Sequence, residues 1–74
     1  MSIGVSIIED DVPAREILVG WIRRAEGFRY VSEHETAESA LARLPQEKPQ
    51  VVLVDINLPG MSGIECVRRL KPIL

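Results

Sequence analysis

The chain has 74 residues, of which 46% are hydrophobic, and a formal net charge of −2. These values predict one small globular domain rather than a disordered chain, and the weak charge argues against nucleic acid or an anionic membrane as a direct partner. The single cysteine, Cys66, cannot form an internal disulfide, and no apolar run approaches the roughly 18 residues of a membrane span, so we expect a cytoplasmic protein.

The first predicted element is a short apolar strand from Ile3 to Ile8. Its nearly continuous hydrophobicity is typical of a strand buried on both faces, as in a parallel sheet. Asp11 is the predicted N-cap of the next helix, and Pro13 suits its first turn. We expect this helix to end at Gly27 and to pack into the core through one apolar stripe: Ala14, Ile17, Leu18, Trp21, Ile22 and Ala25.

A second strand is predicted from Phe28 to Ser32, where aromatic and β-branched residues occur. His34 follows it, and we expect this histidine to lie in a solvated loop. Thr36 is the predicted N-cap of a second helix. Its apolar positions are Ala37, Ala40, Leu41 and Leu44, and Pro45 and Pro49 are expected to bracket the loop after it.

The third predicted strand runs from Val51 to Asp55 and is followed by a turn at Leu58-Pro59-Gly60. Ser62 and Glu65 have the spacing of a capping box, which predicts the start of a third helix. Ile64, Val67 and Leu70 follow on one side of that helix, and Cys66 is expected to be a small packing residue.

The predicted order is therefore β-α-β-α-β-α, which favours an α/β fold with a parallel sheet and right-handed crossovers. In such a sheet the carboxyl ends of neighbouring strands face one crevice. Glu9 and Asp10 follow the first strand and Asp55 ends the third, so the three carboxylates should converge. Because crowded carboxylates repel one another, we interpret the site as a Mg²⁺-binding acidic pocket with Asp55 as its reactive group.

The sequence resembles the receiver domain of two-component response regulators. The resemblance rests on Ile7-Ile8-Glu9-Asp10-Asp11, on Arg15, and on the stretch from Val51 through Asp55 to the Leu-Pro-Gly-Met-Ser-Gly turn that ends at Gly63. The acidic pair alone is a weak signal, but the aspartate at the strand end followed by this turn is specific. The spacing between them accommodates two βα units.

This resemblance implies a flavodoxin-like three-layer fold and a phosphoryl acceptor that is not an enzyme in the usual sense. By analogy, Asp55 would accept a phosphoryl group from a sensor histidine kinase. Asp10 would bind Mg²⁺ directly, Glu9 through water, and Asn57 through its backbone carbonyl. The amino-acid sequence of the turn is similar to that in receivers of DNA-binding transcriptional regulators, so we expect the parent protein to be such a regulator. We expect no direct nucleic acid contact by this chain.

The family's fold has five βα units in the strand order 2-1-3-4-5, whereas residues 1–74 contain three. We therefore expect a partial receiver domain without a second domain, lacking the family's Ser or Thr on the fourth strand and Lys on the fifth. The third strand would then form an unpaired apolar edge. We expect this fragment to form a homodimer or a strand-exchanged oligomer.

Alternatives remain beside this interpretation. One alternative is that the chain acts as a truncated or engineered half-domain, a structural or assembly fragment without phosphotransfer. An EF-hand loop starting at Asp55 is disfavoured because its fifth position is Pro59 and its twelfth is Cys66. A phosphatase with an aspartyl nucleophile, of the haloacid dehalogenase-like class, is disfavoured because Asn57 stands where its second aspartate belongs.

Overall fold

The computed structural model describes residues 2–72, which form three strands and three helices in strict alternation. This order confirms the predicted α/β arrangement. None of the helices within these residues is long enough and apolar enough to cross a membrane. The elements are β1 (Ile3–Ile8), α1 (Val12–Arg24), β2 (Phe28–His34), α2 (Ala37–Glu47), β3 (Val51–Val54) and α3 (Gly63–Leu70).

The strands form one parallel sheet in the order β2-β1-β3, as the flavodoxin-like resemblance predicted. The central strand β1 pairs with β2 along its whole length and with β3 from Val5 to Ile8. The second strand extends beyond the predicted end at Ser32, because Glu33 and His34 also pair with β1 after a register shift that skips Val31. The third strand ends at Val54 rather than at Asp55.

Two hydrophobic clusters cover the two faces of the sheet and create three layers. On one face, α2 and α3 pack over the sheet, and on the other face α1 packs through Ile22 onto Val5 and Ile7. Cys66 is fully buried in the first cluster, which confirms its predicted packing role, and this burial raises the pKa of its thiol. The buried members of the first cluster are Ile8, Ala37, Ala40, Leu44, Leu58, Cys66 and Leu70.

The predicted core position of Trp21 is wrong, because this side chain is 59% exposed. Ile17, on the same stripe, is 54% exposed. The helix α1 packs on β1 and β2. The side of its stripe that carries Trp21 lies next to Leu53 of β3, where no further element covers it within residues 2–72, and is therefore exposed to solvent. The apolar stripe of α1 that the helical spacing predicted is therefore wider than the part of the sheet on which this helix packs.

All three predicted N-caps are confirmed by hydrogen bonds. Asp11 accepts from the amide of Ala14, Thr36 from that of Ser39, and Ser62 from that of Glu65. These bonds satisfy backbone donors that the first helical turn leaves free.

The prediction that Pro45 begins a loop is wrong, since it lies within the last turn of α2. The chain stays helical to Glu47 and leaves the helix at Lys48, which has a left-handed backbone with φ of 51°. A proline there removes only one backbone donor, near the end of the helix. The buried side chain of Leu44 holds this turn against the core.

The outer edge of β3 pairs with no strand among residues 2–72. Apolar side chains next to this edge are exposed on both faces of the sheet. Leu53 is 39% exposed on the α1 face, and Ile64 of α3 is 60% exposed on the other. The predicted unpaired apolar edge is thus present in the described part of the chain.

His34 is buried, so the prediction of a solvated loop residue is also wrong. Its Nε2 lies 3.0 Å from Oε1 of Glu47, and its Nδ1 lies 3.2 Å from Oγ of Ser39. Ser32 donates to the same Glu47 oxygen at 2.8 Å, and its hydroxyl also lies 2.8 Å from that of Ser6. This network satisfies buried polar groups and joins the end of β2 to α2.

We predict that Glu47→Gln lowers the free energy of unfolding at pH 7 by about 1.5 kcal/mol, the lower end of the range for a hydrogen bond to a charged group. Partial burial of Glu47 opposes its ionisation, but the hydrogen bonds from Ser32 and His34 outweigh burial and lower its pKa. A carboxyl with a lowered pKa stabilises the fold above its ordinary pKa and loses this effect as the pH falls through the lowered value.

The difference in the free energy of unfolding between Glu47→Gln and the wild type should therefore become smaller at acidic pH. Urea unfolding at a series of pH values measures it. Glu26→Gln, a change at an exposed carboxylate, is the control and should match the wild type. An equal loss of stability in both variants, or a loss that grows in acid, would contradict the prediction.

Candidate acidic site

The carboxylates of Glu9, Asp10 and Asp55 converge at the carboxyl edge of the sheet. One oxygen from each lies within 4.8 Å of the others. Glu9 and Asp10 directly follow β1, and Asp55 directly follows the neighbouring β3. The structure therefore brings together the three acids that strand order predicted to share one crevice.

Asp55 is fixed by its backbone at the point where the chain leaves the sheet. Its amide donates to the carbonyl of Ile8 at 3.0 Å, which extends the β1–β3 pairing by one bond. Its Oδ1 accepts from the amide of Asn57 at 3.1 Å, an Asx turn that holds the carboxylate at the start of the loop. The side chain is partly exposed, so it remains accessible to a reactant.

Glu9 is held between β2 and the acidic loop. Its amide donates to the carbonyl of His34 at 3.0 Å, and its Oε2 accepts from the amide of Asp11 at 3.3 Å. Burial raises the pKa of Glu9, and the adjacent Asp55 and Asp10 carboxylates raise it further, whereas the Asp11 amide lowers it. Burial first, and then the crowding of negative charge at this edge, thus oppose ionisation of the Glu9 carboxyl.

The loop after Asp55 is folded back onto the protein. Leu58 is buried in the core cluster, and Gly60 has a φ of 75°, which favours glycine at this position. Gly63, the first residue of α3, is buried and packs against the carbonyl oxygen of Asp55. The turn that follows Asp55 is thus shaped by an apolar anchor and by close backbone packing.

The donor set suits a hard divalent cation. Mg²⁺ prefers oxygen ligands at about 2.1 Å, so opposite ligands of an octahedral ion lie about 4.2 Å apart. The three carboxylate oxygens lie within 4.8 Å of one another, so only small side-chain adjustments would be needed for all three to contact one ion. Glu9, Asp10 and Asp55 are therefore the residues that would hold the ion. The backbone carbonyl of Asn57 remains a predicted additional ligand.

Arg15 contacts this site, although its place in the sequence indicated no role in it. Its Nη1 donates to the carbonyl of Glu9 at 3.0 Å, and its Nε donates to Glu33 on β2 at 2.7 Å. One feature of the sequence could have indicated this contact. Arg15 lies one helical turn after the N-cap Asp11, and side chains in a helix tilt toward its N-terminus, so the Arg15 side chain points toward the acidic loop.

Comparisons with known proteins agree with this architecture. The family model described as "Response regulator receiver domain" matches residues 5–73. The phosphate regulon transcriptional regulatory protein PhoB of Pseudomonas aeruginosa is 39% identical over 90% of this chain, which spans 28% of that protein. A protein-glutamate methylesterase/protein-glutamine glutaminase of Paramagnetospirillum magneticum is 36% identical over 97% of this chain, which spans 22% of it.

A solved structure has the same fold. The response regulator domain of Thermotoga maritima CheB superposes with a TM-score of 0.92 at 23% identity, over 99% of this chain and 55% of that chain. This chain thus spans little more than half of that solved domain and less than a third of the two curated relatives.

Proposed function

Because this chain belongs to the response regulator receiver domain family, we propose that Asp55 accepts a phosphoryl group from a sensor histidine kinase, with Mg²⁺ as the cofactor. The observation that carries this proposal is the convergence of the Glu9, Asp10 and Asp55 carboxylates at one edge of the sheet. The chain is a receiver domain of two-component signalling, and its phosphotransfer, cofactor and partner are parts of the proposal.

The reaction places specific demands on Asp55. One of its carboxylate oxygens attacks the phosphorus of a phosphohistidine in line, the phosphorus–nitrogen bond breaks, and the departing imidazole takes up a proton. The Asx turn from Asn57 holds the carboxylate in place, while its partial exposure leaves room for the donor. Glu9, Asp10 and Asp55 would hold Mg²⁺, which would supply positive charge to offset the repulsion between these acids and the incoming phosphoryl group.

The relatives support a proposal for the output of the parent protein. We propose a cytoplasmic response regulator whose output is DNA binding, as the name of the transcriptional regulatory relative implies for that protein. The methylesterase relative makes an enzymatic output the second possibility for the parent. In either case the residues described here provide a phosphoacceptor rather than an enzyme active site, and we propose no direct nucleic acid contact for them.

Intact-mass analysis after incubation with acetyl phosphate tests this function. We expect one added phosphoryl group per chain in the presence of Mg²⁺ and none in the presence of a chelator. A folded chain that gains no phosphoryl group under either condition would contradict the proposed function.

A second candidate function, assembly through the β3 edge, is favoured by the exposed apolar surface there. The edge offers unpaired backbone groups, and exposed apolar side chains lie on both faces beside it. A second copy could pair with this edge, either as a homodimer or by strand exchange, and bury that surface. This candidate corresponds to the alternative stated in the sequence analysis, in which the chain is a structural or assembly fragment without phosphotransfer.

We predict that Leu53→Lys converts a dimer into a monomer, because a charge on the edge strand opposes its pairing and the burial of its exposed face. Val12→Lys, a change at an exposed apolar residue that begins α1, is the matched control and should remain dimeric. Sedimentation equilibrium gives the mass, and hydrogen exchange reports on the amides of β3. A monomeric wild type whose β3 amides exchange freely would exclude this assembly.

A further inference from the structure

The peptide bond between Glu9 and Asp10 lies outside the sheet but is held firmly by Arg15. We propose that Arg15 is a positioning residue that orients this peptide bond, so that the Glu9 and Asp10 carboxylates meet Asp55 in a geometry that binds a divalent cation. This inference rests on the proposed function, because it concerns the affinity of the same acidic site.

The backbone of Glu9 is held from two elements. Its amide donates to His34 at the end of β2, and its carbonyl accepts from Nη1 of Arg15 on α1 at 3.0 Å. The carbonyl of the preceding Ile8 is used by the amide of Asp55. Since Asp10 is joined directly to the Glu9 carbonyl, the bond from Arg15 limits rotation of the peptide that places the Asp10 side chain.

Arg15 is itself immobilised. Its side chain is 15% exposed, and its Nε donates to Oε2 of Glu33 at 2.7 Å. The other oxygen of Glu33 accepts from the hydroxyl of Tyr30 at 3.0 Å, and Glu35 lies 3.9 Å from the guanidinium. The planar guanidinium thus links α1, β2 and the acidic loop with donors in fixed directions.

A purely electrostatic role for Arg15 would have the opposite effect. A positive charge next to a cation site weakens cation binding, so its removal would tighten binding. The carboxylates of Glu33 and Glu35 offset that charge. The geometry therefore favours orientation through hydrogen bonds, which a lysine cannot reproduce although it retains the charge, because its single ammonium replaces two separately directed donors.

The test is calorimetric titration of the folded wild-type chain and its Arg15 variants with MgCl₂. We expect Arg15→Lys and Arg15→Gln each to weaken Mg²⁺ binding by about tenfold, the usual size of an outer-shell effect on a metal site. Glu33→Gln, which leaves Arg15 in place but weakens its anchor, should cause a smaller loss. Arg43→Lys, a change at an exposed arginine, is the control and should bind as the wild type does.

A second readout separates positioning from general stabilisation. We expect the metal-free Arg15→Lys variant to shift the amide resonance of Asp10 while most of the core resonances stay unchanged. Unchanged Mg²⁺ affinity in Arg15→Lys would overturn the inference, and tighter binding in Arg15→Gln would assign an electrostatic role instead. A wild-type chain that binds no Mg²⁺ would overturn both this inference and the proposed cofactor.

Discussion

Asp55→Asn is expected to abolish incorporation of a phosphoryl group, with a loss of at least about 100-fold in rate. The amide of asparagine carries no negative charge and is a poor nucleophile toward phosphorus. The substitution is nearly isosteric and keeps an oxygen that accepts from the Asn57 amide. The fold should therefore survive, and the loss of one charge from a crowded acidic edge should leave stability equal or slightly increased.

Asp11→Asn is the matched control for this prediction. It also removes one negative charge, from the β1–α1 loop that carries Glu9 and Asp10, and asparagine caps a helix about as well as aspartate does. Its N-cap bond to Ala14 should persist, and phosphoryl incorporation should continue. Intact mass over a time course measures both variants. An Asp55→Asn chain that is modified as fast as the wild type would show that another group accepts the phosphoryl.

Gly63→Ala is expected to lower the free energy of unfolding by on the order of 3 kcal/mol, the upper part of the range for overpacking a core. A β-carbon at Gly63 would overlap the backbone carbonyl of Asp55, and backbone atoms cannot move aside as a flexible side chain can. The amide of Gly63 also donates to Ile56 at 3.1 Å, so the two segments are tied together. Relief of the overlap would displace Asp55 and weaken Mg²⁺ binding.

Gly20→Ala provides the contrast. At that position a β-carbon meets only the end of the flexible Arg24 side chain, at 3.2 Å. Alanine in place of glycine within a helix stabilises it by up to about 1 kcal/mol, so this variant should match or exceed the wild type. Urea unfolding of both variants provides the measurement. Equal stabilities for Gly63→Ala and Gly20→Ala would show that the close packing at Asp55 does not limit the fold.

The alternation of elements and the meeting of three acids were predicted from the residues themselves, whereas the strand order was implied by the family resemblance. The first two features depend on local signals: apolar runs, capping residues at Asp11, Thr36 and Ser62, and the rule that parallel strands present their carboxyl ends together. The acidic site is built from residues adjacent to strand ends. Its composition could therefore be read without knowledge of side-chain packing.

The wrong predictions concern residues whose surroundings are set by distant parts of the chain. His34 is buried because a register shift extends β2 and because Glu47 and Ser39, on α2, supply partners that lie away from it in sequence. Trp21 is exposed because helical periodicity identifies an apolar stripe but not the width of the surface opposite it. Neither outcome follows from local patterns.

The role of Arg15 illustrates the same limit. An arginine on a helix is ordinarily a solvated residue, and only the folded chain shows that its guanidinium reaches both Glu33 and the Glu9 carbonyl. Pro45 shows a similar limit within a single helix. A proline near a helix end is compatible with either a loop or a last turn, and the burial of Leu44 decides between them.

The most direct test of the central claim is to locate the phosphoryl group. The chain is incubated with acetyl phosphate and Mg²⁺, treated with borohydride, which reduces an aspartyl phosphate to homoserine, and then digested for peptide mass spectrometry. We predict homoserine at Asp55 alone, and none when Mg²⁺ is chelated. Homoserine at Asp10 or Asp11, or labelling that persists without Mg²⁺, would contradict the assignment of Asp55 as the acceptor in a cation-dependent acidic site.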